Sequence, residues 1–419
     1  MATSGKAYWV AGWMMHDLTD QMEDHSRQLT DWIEAHKTEV VELLRSLVRI
    51  PSITGDEAEI GAFVADLCRQ LGFAVKIFEE LPGRPNIVAV LDSGVPGPTL
   101  LLNDHLDMIP PGPIEAWTYP PFAAEVHNGH VFGRATIDTK SGLTTILAAA
   151  MAIVFCRLPF RGKLKLIFSC DEEVGGRHGM QYLGRLGLIQ ADLALVTEPT
   201  SMQVEIATKG RLNLEIVTHG HATHGARPWL GHNAIEDMMA VIAALRVLGT
   251  ALRTRTDPLL GSASLNVGLI EGGTVPNMVP NRCRIEVDRR VLPSETPEEA
   301  VSEIRYLLDG LKARIPDFRY DFSQLLWWPG YAMRHDEPVV AMLSEAIEAV
   351  TGSPPIVRGK DAGTDASWIN ILGGIPVVMF SPGDGPRAMN VDESVSIDDL
   401  VLATKVVARF TSRVLAVDR

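Results

Sequence analysis

Several segments of the sequence place acidic residues or a histidine directly after a short apolar run. The most acidic segment follows Leu164–Phe168, where Asp171, Glu172 and Glu173 stand side by side. Adjacent carboxylates repel one another and lose hydration when they are buried, so a buried cluster of this kind requires a compensating cation. Taken alone, the segment is also compatible with an acidic, solvated loop. Whether the segment is a metal site or a solvated loop therefore depends on what the other segments contribute.

Two further apolar runs end in residues that can bind a metal. Thr99–Leu102 leads into His105 and Asp107, and Leu193–Val196 is followed by Glu198. A histidine can offer one ring nitrogen to a metal while a nearby aspartate fixes the other. A turn with a solvated histidine is the alternative for the first of these segments.

Asp138 stands at a predicted loop-to-helix junction, before an alanine-rich helix over Leu143–Phe155. A carboxylate at this point could bridge two metal ions, although aspartate is also a common N-cap residue. Across the four segments, the donors are one histidine and three or four carboxylates, without a cysteine. This donor set suits a divalent transition metal such as Zn²⁺, Mn²⁺ or Co²⁺.

The elements that must position these residues alternate between strands and helices. This α/β pattern collects functional side chains at the carboxyl ends of strands. From about Lys209 the order becomes β-α-β-β-α-β, which is the ferredoxin-like plan, with a short last strand over Phe318–Phe322. Since the earlier alternation then resumes, we predict an α/β catalytic domain formed by residues 1–208 and 323–419. Residues 209–322 are predicted to be an inserted α+β domain.

Composition narrows the class of protein. A chain of 419 residues favours two domains. The net charge of −14 argues against nucleic acid as a partner, and no apolar run reaches the roughly 18–20 residues that span a membrane. The N-terminal residues lack the pattern of a signal peptide.

The four cysteines lack metal-type spacing, so we expect reduced thiols and a cytoplasmic location.

Eight motifs carry a resemblance to a known family. In chain order they are LLNDHLD, GRATIDTKSG, SCDEEVGG, TEPT, HGHATHGARPWLGHNAI, EGGTVPNMVPNRCRIEVDRRVLP, AGTDAS and SPGDGPRAMNVDES. This series resembles the M20 family of metallopeptidases and amidohydrolases, from about residue 30 to residue 415. The resemblance implies a metal-binding α/β catalytic domain with an inserted ferredoxin-like lid and dimerisation domain.

The resemblance also implies metal ligands. His105, Asp138 and Glu198 look like the ligands of one metal, with Asp138 able to bridge to a second metal that Glu173 also binds. We expect a divalent transition metal, Zn, Mn or Co.

Roles in catalysis and substrate binding follow from the same resemblance. Glu172 looks like the general base, Asp107 like the partner that orients His105, and His224 like a histidine that stabilises developing negative charge, often across a dimer interface. Contacts to a substrate carboxylate or to the oxyanion are implied for Asn277, Arg290, Gly363 and Thr364. For Arg290, a structural salt bridge with Asp288 is the alternative.

One departure from the family pattern concerns the last metal ligand. The family has a histidine four residues before a glutamate, and here Met389 stands four residues before Glu393. Because a thioether is a weak ligand for Zn²⁺ or Mn²⁺, we expect about one metal per subunit, unless Asn390 or Asp392 substitutes. A smaller departure is Ala135, where the family usually has glycine.

We therefore predict a hydrolase that cleaves a C–N bond in a small substrate bearing a carboxylate, as in N-acyl amino acid deacylation. A homodimer or larger homo-oligomer would form through the inserted domain. One alternative is an aminohydrolase acting at a single metal on an aromatic amine such as 5-nitroanthranilate, which Trp327 and Trp328 would suit if they did not simply pack in the core. The other alternative is a non-catalytic binding protein. The presence of Glu172 and His224 argues against it.

Overall fold

The structure is a computed structural model that describes residues 23–416. The N-terminal residues for which we predict no signal peptide lie largely outside this range. Among the described residues, none of the helices combines the length and the apolar character that crossing a bilayer requires.

The described chain alternates between helices and strands. The helices are α1 (23–35), α2 (Lys37–Val48), α3 (Ala58–Gln70), α4 (Lys140–Phe155), α5 (Met180–Arg185), α6 (Ala234–Leu252), α7 (Pro297–Lys312), α8 (Pro338–Thr351), α9 (Asp365–Gly373) and α10 (Ile397–Val414). The strands are β1 (Ala74–Glu79), β2 (Pro85–Asp92), β3 (Thr99–His105), β4 (Glu125–His127), β5 (His130–Phe132), β6 (Lys163–Ser169), β7 (Leu193–Val196), β8 (Val204–Thr208), β9 (Gly210–His219), β10 (Thr256–Asp257), β11 (Gly261–Ser262), β12 (Ser264–Gly272), β13 (Arg282–Val291), β14 (Arg319–Trp328), β15 (Tyr331–Ala332), β16 (Val357–Lys360), β17 (Val377–Met379) and β18 (Ser394–Ser396).

The chain divides into two compact units. The first contains the described residues up to Ile206, Met333–Val357 and the residues from Trp368 onward, and the second contains Ala207–Ala332 and Arg358–Ser367. The predicted insertion, residues 209–322, does not include the second segment of this unit, Arg358–Ser367.

The first unit is built on a mixed sheet in the order β1-β2-β6-β3-β7-β17-β8. The central pairs β3–β6, β3–β7 and β7–β17 are parallel, whereas β2 is antiparallel to β1 and β6. The apolar residues of β3 and β6 are buried, as expected for strands covered on both faces. Parallel strands end at the same edge of a sheet, so the chain segments that follow β3, β6 and β7 emerge together there.

The second unit has a four-stranded antiparallel sheet in the order β12-β13-β9-β14. Helices α6 and α7 bury their apolar faces on it, around a core that includes Leu214, Ile285 and Ile304. The strand order and the β-α-β-β-α-β sequence of elements are those of a ferredoxin-like domain. The predicted fold class, an α/β domain with a ferredoxin-like insertion, is confirmed.

The last strand of the insertion is longer than the sequence indicated. The prediction ended it at Phe322, whereas β14 continues to Trp328 with a change of register between Gln324 and Leu326. Trp327 packs against the core of the second unit, and Trp328 is buried at the end of the strand. Backbone pairing with β9 therefore extends through both tryptophans.

Candidate metal centre

In the first unit, His105 lies next to two carboxylates from other parts of the chain. His105 is the last residue of β3 and is buried. Its Nε2 lies 3.3 Å from Asp138 Oδ1 and 4.0 Å from Glu172 Oε2. Asp138 precedes α4, and Glu172 begins a single 3₁₀ turn, Glu172–Val174, just after β6. Carboxylates from two other segments thus meet at this imidazole.

Five of the predicted residues form two overlapping triplets that share His105. One triplet adds Asp138 and Glu173, the other adds Glu172 and Glu198, and within each the ligand atoms lie within 4.8 Å of one another. The structure therefore brings all the predicted ligands together. It groups them differently from the predicted set of His105, Asp138 and Glu198.

The electrostatics of this cluster call for a cation. Burial raises the pKa of Glu173 well above its ordinary value, and the Asp138 carboxylate raises it further. Burial alone would lower the pKa of His105, but the carboxylates of Glu172, Asp107 and Asp138 outweigh it and raise that pKa well above the usual value. Within residues 23–416, Glu173 Oε1 is buried without a hydrogen-bond partner. Carboxylates and an imidazole that has released its proton are the donors that a divalent metal takes, so the residues fit one.

Asp107 holds the turn that carries Glu172 and Glu173. Its carboxylate accepts hydrogen bonds from the Glu172 amide at 2.9 Å, from the Glu173 amide at 3.2 Å and from the Thr54 hydroxyl at 2.8 Å. The predicted contact with the imidazole is longer, at 3.6 Å between Asp107 Oδ1 and His105 Nδ1. The main-chain oxygen of Asp107 lies closer to that nitrogen, at 2.9 Å. The backbone of Asp107 thus fixes the imidazole, and its side chain fixes the acidic turn.

The third acid of the run, Asp171, belongs to a different network. Arg84 donates from Nη1 to Asp171 at 2.7 Å and from Nε to Glu57 at 3.0 Å. Glu57 is fully buried and Asp171 nearly so. This ion-pair network, which the sequence did not reveal, fixes the chain just before the Glu172–Val174 turn. Arg84 and Asp171 are 87 residues apart, so their spacing along the chain does not indicate that they pair.

Met389 lies on the turn that precedes Glu393. Its side chain is 42% exposed, and its backbone is left-handed, with φ 64°. The Asn390 amide donates to main-chain oxygens of its own turn, and Asp392 accepts from the Thr118 amide. Within residues 23–416, Asp392 is part of neither triplet.

Ala135, the other departure from the family pattern, is also left-handed, with φ 65°. A glycine would adopt this backbone conformation without strain.

The second unit carries the remaining predicted residues in three groups. His224 and Asn277 lie on exposed loops that are joined by a hydrogen bond from the Gly225 amide to the Asn277 oxygen at 2.7 Å. Arg290 forms a two-pronged ion pair with Asp288, at 2.8 and 3.2 Å. The salt bridge considered as the alternative for Arg290 is therefore present.

Gly363 and Thr364 lie against Trp328. The indole Nε1 donates to the Thr364 main-chain oxygen at 3.0 Å, and a Cβ at Gly363 would approach the indole ring to 3.0 Å. Trp328 is only 3% exposed. Its ring therefore packs on this turn, which removes one of the two observations behind the aromatic-amine alternative.

The site residues lie within a stretch that matches a known family. Residues 101–413 match the profile described as peptidase family M20/M25/M40. A succinyl-diaminopimelate desuccinylase of Methylorubrum extorquens is 30% identical over 387 residues, which cover 88% of this chain and 96% of that protein. An N-formyl-4-amino-5-aminomethyl-2-methylpyrimidine deformylase of Bacillus subtilis is 26% identical, over 93% of this chain and 97% of that protein. The crystal structure of human carnosine dipeptidase 1 superimposes with a TM-score of 0.78 and 18% identity, over 94% of this chain and 99% of that one.

Proposed function

The chain belongs to peptidase family M20/M25/M40, and on that premise we propose that it is a metal-dependent hydrolase that removes an acyl group from a nitrogen of a small, carboxylate-bearing substrate. The observation that carries the proposal is the convergence of one imidazole with two buried and two half-buried carboxylates at the carboxyl edge of the sheet. The desuccinylase and the deformylase among its relatives both act on a C–N bond, which supports this reaction class.

The proposed mechanism assigns a task to each residue of the cluster. His105, Asp138, Glu173 and Glu198 would hold the metal, which when bound lowers the pKa of water and polarises a carbonyl group. Glu172 takes a proton from the attacking water and delivers it to the departing nitrogen. Asp107 keeps Glu172 in place through the amide of the acidic turn. Water is then added across the C–N bond, giving a carboxylic acid and an amine.

The proposal also assigns roles to residues of the second unit. We propose that the His224 side chain stabilises the negative charge that develops on the carbonyl oxygen. Asn277 and the Gly363–Thr364 turn would bind the substrate carboxylate or the oxyanion. Because Asp288 already pairs with Arg290, we propose that a substrate carboxylate reaches this arginine only as an additional partner.

We also propose that the chain forms a homodimer through its second unit. Strand β12 lies at the edge of its sheet. Helix α6 exposes 65% of Met239 and 71% of Val247. An open strand edge beside exposed apolar side chains favours pairing with another copy of the chain. The cytoplasmic location stays a prediction.

Chelation and a substrate panel test the function. We expect hydrolysis of at least one N-succinyl, N-acetyl or N-formyl compound, loss of that activity on chelation, and recovery with Zn²⁺, Mn²⁺ or Co²⁺. An aromatic amine such as 5-nitroanthranilate belongs in the same panel. Activity that survives complete metal removal would contradict the proposal, and release of ammonia from the aromatic amine alone would favour the aminohydrolase alternative.

Met389→His is expected to raise the metal content from about one per subunit toward two. The substitution supplies an imidazole at the position where the family has its last ligand, whereas the thioether of Met389 is a weak ligand. Metal content per subunit, measured after dialysis, checks the result. Met239→His places an imidazole at an exposed methionine of the second unit and should leave the content unchanged. Two tightly held metals in the unmodified protein would show that another group replaces the histidine.

A further inference from the structure

Glu393 is a buried carboxylate that binds the backbone of the Asp138 loop. Its Oε1 accepts hydrogen bonds from the Ile137 amide at 2.8 Å and from the Asp138 amide at 3.2 Å. Its Oε2 accepts one from the Met389 amide at 3.3 Å. A single side chain thus connects the loop that carries Asp138 with the turn that carries Met389.

Arg134 supplies the charge that lets Glu393 stay buried. Its Nη1 lies 2.7 Å from Glu393 Oε2, and both side chains are almost inaccessible. The guanidinium also stacks on Trp117, at 5.0 Å from the ring centroid, and donates to the Pro111 oxygen. A carboxylate held on both oxygens by an arginine and three amides has little freedom to move. Glu393 is therefore a rigid anchor.

From these contacts we infer that Glu393 is a positioning residue for the metal centre, which fixes Asp138 through the backbone without contacting substrate or metal. The inference rests on the proposed metal-dependent function. Asp138 contributes to one of the two triplets around His105, and its side chain starts from the backbone whose amide Glu393 binds. If those amide bonds are lost, the Asp138 carboxylate loses its fixed position and the metal site loses affinity.

Glu393→Gln tests the inference with Co²⁺ as the probe. The glutamine keeps the size of the side chain but offers only one oxygen to a set of amide and guanidinium donors. We expect Co²⁺ affinity, measured by competition with a chelator, to fall by about 10–100-fold. The visible absorption of bound Co²⁺ should change as well, because the geometry around Asp138 is altered.

Glu295→Gln is the matched control. Glu295 is also a carboxylate paired with a buried arginine, Arg289, and it accepts the Leu292 amide, but it lies in the second unit. This variant should bind Co²⁺ with the affinity and spectrum of the wild-type protein. Equal loss in both variants would contradict the inference, because it would reflect general destabilisation.

A second variant keeps the test decisive if Glu393→Gln does not fold. Glu393→Asp retains the charge for Arg134 but shortens the reach toward the Ile137 and Asp138 amides, so it should also weaken Co²⁺ binding. Wild-type affinity in a folded Glu393 variant would overturn the inference while the metal-dependent function stands. Failure of the wild-type protein to bind Co²⁺ would instead overturn the proposed function.

Discussion

Glu172→Gln is expected to lower kcat by about 10²–10⁴ while leaving KM and metal content nearly unchanged. Glutamine has almost the same size as glutamate but cannot accept a proton at neutral pH. The Glu172 amide would still donate to Asp107, so the turn should keep its conformation. Steady-state kinetics and metal analysis on the same preparation check the result.

Glu173→Gln is the comparison that separates a base from a ligand, because both glutamates lie on the same turn. In the described part of the chain, one carboxylate oxygen of Glu173 is buried without a hydrogen-bond partner. An oxygen in this state is available to bind a metal. We expect this variant to lose metal. If Glu172→Gln loses metal to the same extent, Glu172 is a ligand, as its triplet with His105 and Glu198 would also allow. Retention of most of kcat would remove Glu172 from the role of base.

His224→Ala is expected to lower kcat by about 10²–10³, the usual cost of removing one donor that stabilises an oxyanion. Metal content should not change, because His224 belongs to neither triplet around His105. His219→Ala is a suitable control. It removes another histidine of the same unit, one whose ring pairs with Asp321 at 2.8 Å. This control should retain nearly full activity.

Mixing the two inactive variants tests whether His224 acts in the neighbouring subunit. In a dimer that combines Glu172→Gln with His224→Ala, one of the two sites has both intact residues if the histidine crosses the interface. Random exchange should then restore about a quarter of the wild-type activity. If subunit exchange is demonstrated and the mixture stays inactive, the hypothesis that His224 acts in the neighbouring subunit is wrong.

The sequence by itself determined the fold class and the gathering of the ligands. Apolar runs that end in His105 or lead to Glu173 and Glu198 predicted strands of an α/β sheet, and strands β3, β6 and β7 are the observed ones. The α/β pattern predicted that residues following the strands collect at one edge of the sheet, and the family resemblance then assigned the ligands among them. The pattern of elements likewise indicated the ferredoxin-like insertion.

The tertiary structure decided what each polar side chain contacts. Asp107 directs its carboxylate to amides 65 and 66 residues away, rather than to the nearby imidazole. Trp328 packs on the turn at Gly363, and Glu393 reaches the Asp138 loop, which precedes it by 255 residues. Burying an unpaired polar atom costs free energy, so a buried carboxylate or indole adopts the orientation in which its polar atoms are hydrogen-bonded. Its partners are the groups that folding places around it. Spacing along the chain predicts which strand ends meet, but these partners exist only once distant segments have packed together.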